Sequence, residues 1–175
     1  MKPSSIRNHL WWLVPKELAG MPLPWICEER RKMPDAAPDV FDDDVRFLAT
    51  LGIRSIVAAL ELPVHRKIFE DCGFRYFSLQ IPDGYPPTLE QADRLVTFYH
   101  SAPLPLAVHC EGGVGRTGTL LAIILLWRGL SPAAAVDKVK RAMPPALDNS
   151  SQVEFILRYG RHLNLHRPQN GSRRV

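Results

Sequence analysis

The ten residues His109-Cys110-Glu111-Gly112-Gly113-Val114-Gly115-Arg116-Thr117-Gly118 gather a nucleophile, a glycine-rich turn and a fixed positive charge in one stretch. The chemistry open to that set is displacement at phosphorus. Gly112, Gly113 and Gly115 let the backbone turn the N–H groups of Glu111, Gly112, Gly113, Val114 and Gly115 inward. Such a nest at a helix N-terminus binds a dianion through hydrogen bonds and the helix dipole together. The same field stabilises a thiolate, which makes Cys110 the expected nucleophile. The planar guanidinium of Arg116 can grip two phosphoryl oxygens as a fork, which a lysine could not do. Thr117 sits where its hydroxyl could hydrogen-bond the sulfur, and that matters most when a thiolate must leave a phosphocysteine. The plain alternative is an inert cysteine in a glycine-rich turn, but packing alone does not ask for Arg at that spacing.

Expelling an alkoxide or phenolate needs a proton donor on the side opposite the nucleophile. Asp83, in the loop Gln80-Ile-Pro-Asp-Gly-Tyr-Pro-Pro87, is bounded by proline and glycine after an expected strand, where it could reach over the pocket. A turn-forming aspartate before glycine is the competing reading. His109 precedes the nucleophile by one residue, so its side chain points away from the pocket, and it supports the loop or simply packs.

Several elements must position these groups. Leu104 to Val108 is short and aliphatic, as a buried strand is, and Thr119 to Trp127 is apolar on every face, as a buried helix is. The loop therefore joins strand to helix. Leu10–Val14 and Leu18–Met21 predict two short strands around Pro15-Lys-Glu. Trp11 and Trp12 are read as core, since adjacent strand residues face opposite ways. Asp39 opens a helix with Asp42, Asp43 and Asp44 in its first turns and Gly52 as its stop, and dipole and solvation roles explain the aspartates better than a metal does. Arg54–Leu60 reads as a strand buried on both faces, residues 63 to 72 as a short helix closed by Gly73, and Arg75–Leu79 as another strand. Thr88 and Gln91 form a capping-box start to a helix reaching Ser101, and Ser131-Pro132 starts another after Gly129. Asn149, with Gln152 three residues on, reads as the cap of a last helix. This alternation predicts an α/β fold: a central, mostly parallel sheet flanked by helices on both faces.

With 175 residues and 46% of them hydrophobic, the chain has room for one proper core. We expect a flexible segment over residues 1–9, one catalytic domain over 10–166 and a disordered basic tail over 167–175. The net charge of +4 suits anionic substrates but is too small to name a partner. Cys27, Cys72 and Cys110 are an odd number without metal-ligand spacing, which fits a reducing compartment. No apolar run is long enough to span a bilayer. A cytoplasmic monomer without metal or cofactor is expected, with a phosphorylated protein or peptide as partner and no nucleic acid. Under oxidation Cys72 could pair with Cys110. The prolines and charges of residues 22–38 read as an exposed connector before they read as a docking patch of Arg30, Arg31 and Lys32.

Cys-x5-Arg-Thr, preceded by His and followed by Gly, resembles the signature of the protein tyrosine phosphatases, and its HCxxGxGRTG form is similar to the dual-specificity group. Trp12 to Gly20, Ile81-Pro-Asp83 and Gln152 fall in the order seen in the small atypical dual-specificity phosphatases, the compact VHZ-like kind. The resemblance implies a protein tyrosine phosphatase-like fold with the active-site loop between the central strand and a buried helix. It implies hydrolysis of phosphotyrosine, and of phosphoserine or phosphothreonine, through a phosphocysteine, with Asp83 as general acid and Gln152 near the attacking water. Helix capping alone also accounts for Asn149 and Gln152. Two features depart from the pattern: Glu111 puts a negative charge in the loop, which repels highly anionic substrates, and residues 22–38 have no evident counterpart. A non-protein phosphate such as a phospholipid or an RNA 5′-phosphate is the alternative substrate, and a phosphate-binding module without turnover the remaining reading.

Overall fold

The computed structural model describes residues 6–24, 38–62 and 65–166. Five strands, β1 (Trp11–Val14), β2 (Leu18–Pro22), β3 (Ser55–Ala58), β4 (Arg75–Ser78) and β5 (Leu106–Cys110), form one sheet in the order β1-β2-β5-β3-β4. The β1–β2 hairpin is antiparallel, and every other pairing is parallel. Among the described residues six α-helices accompany them: α1 (Pro38–Thr50), α2 (Arg66–Asp71), α3 (Leu89–Ser101), α4 (Gly115–Trp127), α5 (Pro132–Ala142) and α6 (Ser150–His166).

Strand alternation divides the core in two. Leu106, Val108 and Cys110 of β5 join the apolar cluster built from α3, α4, α5 and α6, while Ala107 joins the cluster of α1 and α2. Helices thus cover both faces, as the alternating sequence pattern predicts. Because β2, β3, β4 and β5 run parallel, the loops that follow β4 and β5 leave the same edge of the sheet. That shared edge brings the Asp83 loop over the Cys110 loop.

Helix α4 is the pillar behind that edge. Leu120, Leu121, Ile123 and Ile124 are fully buried, each contributing on the order of 1.5–3 kcal/mol. It begins at Gly115, four residues before the apolar run at Thr119, so Arg116 and Thr117 lie in its first turn rather than in the preceding loop. The glycines there serve packing: a Cβ on Gly118 would stand 3.2 Å from Ala146 Cβ and 3.3 Å from Val139 Cγ1.

Local stop and start signals act as read. Gly52 and Gly73 adopt positive φ after α1 and α2, the Thr88–Gln91 capping box is formed, and Ser131 caps α5 with Pro132 at its start. The expected frayed segment up to residue 9 meets a short 3-10 helix, Ile6–Asn8, whose Ile6 is buried. Its anchor is Asp44, a buried acceptor for the Ile6 N–H at 3.2 Å. Asp44 therefore fastens the start of the described chain instead of solvating the helix. The last described helix, α6, is held to α3, where Tyr159 donates to Asp93 Oδ1 at 2.8 Å. Residues 25–37, including Cys27 and the Arg30–Lys32 cluster, and the tail from 167 lie outside the described residues.

Candidate active site

Cys110 ends β5, buried, with its side chain on the α4 face. Thr117, also buried, donates its hydroxyl to Cys110 Sγ at 3.2 Å. Seven residues apart in sequence, the two meet because strand, turn and first helical turn fold the chain back on itself.

The turn is held from the hairpin side. Trp11 Nε1 donates to the Gly113 carbonyl at 3.1 Å, and the Leu23 N–H donates to the Glu111 carbonyl at 3.2 Å. Gly113 has φ +72°, and a Cβ there would stand 2.3 Å from Pro22 N and 2.4 Å from Met21 C. Only glycine fits both the conformation and the space. The Trp11 indole in turn lies across Gly20, its partner in the β1–β2 ladder, where a Cβ would come within 2.3 Å of the ring. Two loop carbonyls are thus drawn toward the hairpin. The first N–H groups of α4 have no partner within the helix, and Val114, at the cap position, provides no side-chain acceptor for them.

Arg116 is only 3% exposed. Its Nη1 donates to the Ile81 carbonyl at 3.0 Å, and its Nη2 pairs with Asp83 Oδ1 at 2.7 Å. One guanidinium therefore bridges the α4 N-terminus and the loop after β4. Asp83 itself is open, its side chain 83% exposed. That loop turns at Gly84, with φ +75° and a Tyr85 N–H bond to the Pro82 carbonyl at 3.2 Å. Gln91 Nε2 holds the Gln80 carbonyl at 2.8 Å, and Asn149 Nδ2 holds the Gly84 carbonyl at 2.8 Å.

Gln152 is 2% exposed and packs on Gly115: its Oε1 lies 3.1 Å from where a Cβ on that glycine would be. Glu111 and Gly112 are exposed at the mouth. The structure thus brings Cys110, Thr117, Arg116, Asp83, Gln152 and residues 111–115 to one place. His109 stands apart. It is buried on the opposite face of the sheet, its ring 5.8 Å from that of Phe69.

Cys72 closes α2, on the face away from Cys110 and next to the starting end of β4. The fold thus sets sheet and strand length between the two thiols, so the Cys72–Cys110 disulfide expectation does not hold for this arrangement. Among the described residues, no group of three or more His, Cys, Asp or Glu is placed to hold a metal, and no helix is long and apolar enough to cross a membrane.

Sequence reasoning passed over Trp11 as a loop anchor and Asn149 as a contact of the Asp83 loop. Trp11 left a trace, a bulky aromatic in the first of two short strands with a glycine in the second. Asn149 was visible only as a cap.

Residues 35–162 match the family described as "PTP-SAK: Swiss Army Knife protein, DSP-PTPase phosphatase domain". The chain belongs to this phosphatase family. Protein tyrosine phosphatase PRL-1 of Trypanosoma cruzi is 30% identical over 121 residues, covering 66% of this chain and 68% of the relative. Dual specificity protein phosphatase CDC14C of Homo sapiens is 28% identical over 113 residues, 65% of this chain and 25% of the relative. The chain spans about a quarter of the length of the CDC14C relatives it matches. Among solved structures, kinase associated phosphatase with serine in place of its catalytic-site cysteine superposes with TM-score 0.73 at 21% identity, over 93% of this chain and 98% of that one. PTPMT1 in complex with PI(5)P superposes with TM-score 0.68 at 14% identity, over 91% and 99%. These superpositions carry the fold alone. Family membership fixes the kind of domain; the reaction and the substrate must be argued from this chain's own site.

Proposed function

We propose that this chain hydrolyses phosphoprotein monoesters, phosphotyrosine foremost, in two steps through a phosphocysteine. The observation that carries the proposal is the bridge of Arg116 between the Cys110 loop and Asp83, with Thr117 bonded to the cysteine sulfur from the same helical turn.

In the first step the Cys110 thiolate attacks phosphorus and the bond to the ester oxygen breaks. Asp83 gives its proton to that departing oxygen. The loop N–H groups and the Arg116 fork stabilise the charge gathering on the equatorial oxygens. In the second step water, aligned by Gln152, attacks the phosphocysteine and loses its proton to Asp83. The sulfur–phosphorus bond breaks, inorganic phosphate leaves, and the hydroxyl of Thr117 stabilises the returning thiolate. His109 supports the strand from the far face and touches no reacting atom.

A phosphoprotein is favoured because Glu111 is exposed at the mouth, where a carboxylate repels polyanionic headgroups. The test is turnover of para-nitrophenyl phosphate in the presence of chelator, followed by phosphotyrosine and phosphoserine peptides, phosphoinositide vesicles and 5′-phosphorylated RNA. Wild type should be active, Cys110→Ser inactive, and peptides preferred. Faster turnover of vesicles or RNA would reassign the substrate. An inactive wild type that still binds oxyanions would leave only a phosphate-binding module.

A further inference from the structure

The Asp83 loop is fastened at three points by side chains from three helices. Gln91, in the first turn of α3, holds the Gln80 carbonyl. Arg116, in the first turn of α4, holds Ile81 and Asp83. Asn149, at the cap of α6, holds the Gly84 carbonyl at 2.8 Å. Asn149 is the contact nearest to Asp83 that does not itself touch phosphate.

Its amide is used at both ends. Oδ1 accepts from the Ser151 N–H at 2.9 Å and the Ser151 hydroxyl at 2.7 Å, which caps α6. Nδ2 reaches across 65 residues of sequence to Gly84. Three residues further along, Gln152 is buried against Gly115. One helix start therefore carries the side chain that fixes the acid loop and the side chain that packs on the phosphate loop. The bond falls on the carbonyl next to Asp83, in a turn of positive φ that the chain would otherwise be free to reorient.

We infer that Asn149 is a positioning residue: its Nδ2 bond to Gly84 sets Asp83 in register with the leaving oxygen and locks that setting to the Gln152 end of α6. This inference rests on the acid role proposed above for Asp83. Asn149 does no chemistry itself. Without its bond, Asp83 remains present but is misplaced on average, so the loss falls on substrates whose leaving group needs the proton.

Asn149→Asp and Asn149→Ser separate this role from helix capping. Each retains a capping oxygen for α6; Asp loses the N–H donor, and Ser is too short to reach Gly84. In both we expect kcat/KM, which reports only the step that expels the leaving group, to fall about tenfold on alkyl phosphates and phosphoserine peptide, a part of the roughly 10²–10⁴ that a positioned general acid supplies. On para-nitrophenyl phosphate, whose leaving group needs little protonation, the fall should be less than about threefold, and the limb of the pH profile that depends on the protonated acid should flatten. Thermal unfolding should stay near that of wild type. Equal losses on both substrate classes, or none, in either variant would overturn the inference. If Asp83→Asn itself shows no leaving-group dependence while wild type is active, it is the acid assignment that fails, and the two failures are thereby told apart.

Discussion

Asp83 Oδ1 lies 2.7 Å from Arg116 Nη2, so the carboxylate proposed to protonate the leaving oxygen occupies the guanidinium proposed to grip the phosphate. An ion pair with one partner 83% exposed contributes little to stability. Its effect is on binding, because an arriving dianion must take Arg116 from Asp83 before the acid is free to face the leaving group. Asp83→Asn removes that competitor. Tungstate should bind the variant at least as tightly as wild type by calorimetry, while turnover of esters with poor leaving groups falls by roughly 10²–10³. Weaker tungstate binding would mean that Asp83 supports the anion site rather than competing for it.

The hydroxyl of Thr117, 3.2 Å from Cys110 Sγ, is aimed at the atom that the proposed mechanism uses as the attacking and the departing thiolate. A hydrogen bond to a charged group is worth about 1.5–3 kcal/mol, equivalent to roughly 10–100-fold in rate. Thr117→Val keeps the shape and loses the donor, whereas Thr117→Ser keeps the donor. Stopped-flow traces of the Val variant should show a burst followed by slowed turnover, with phosphocysteine accumulating, and the Ser variant should recover most of the rate. A uniformly slow reaction without a burst would place the role of Thr117 in the first step.

The Trp11 indole and the Gly113 carbonyl connect the outermost strand to the phosphate loop. In Trp11→Phe that buried carbonyl loses its partner, which costs about 1–3 kcal/mol. We expect a lower unfolding midpoint in urea together with weaker tungstate binding, because the loop loses the bond that turns its carbonyl outward. Gly113→Ala should be worse: a Cβ 2.3 Å from Pro22 N must push β2 or the loop aside, on top of about 1–2 kcal/mol for a left-handed alanine. Trp11→Phe with unchanged anion affinity would show the contact to be packing only.

How much of this could be read beforehand depended on distance along the chain. Cys110, Arg116 and Thr117 fall within one strand-turn-helix unit, and local geometry brings them together once Gly113 reverses the backbone. The Thr88–Gln91 capping box, the Gly52 and Gly73 stops and the β5 alternation that sends His109 away from Cys110 are local in the same sense. The contacts of Trp11 with Gly113 and of Asn149 with Gly84 span 102 and 65 residues. They follow from strand order and helix placement, which no short window encodes. Asp44 belongs with them. Its carboxylate matches its acidic neighbours in sequence, and only the docking of Ile6 onto α1 makes it a buried acceptor. The early start of α4 was hidden because Gly115 and Gly118 look like loop residues until Gln152, Ala146 and Val139 are seen to fill the space where side chains would be.

Two buried tyrosines set an alkaline limit on the fold. Burial pushes the Tyr76 phenol up to about 12, with Arg66 and Ser78 acting in the opposite direction. Burial, and then the hydrogen bond to and charge of Asp93, push Tyr159 up as well. Unfolded tyrosine ionises near 10, so the folded state favours the neutral phenol. The stabilisation is complete below pH about 10 and is lost as pH rises from there through the folded values. The urea midpoint should therefore decline progressively between about pH 10 and 12. The decline should be shallower in Tyr76→Phe and shallowest when Tyr159→Phe is added, since phenylalanine has no proton to lose. Absorbance at the phenolate band on the same samples should show the native chain withholding two tyrosines until unfolding begins. An equally steep decline in the double variant would assign the alkaline loss to other groups.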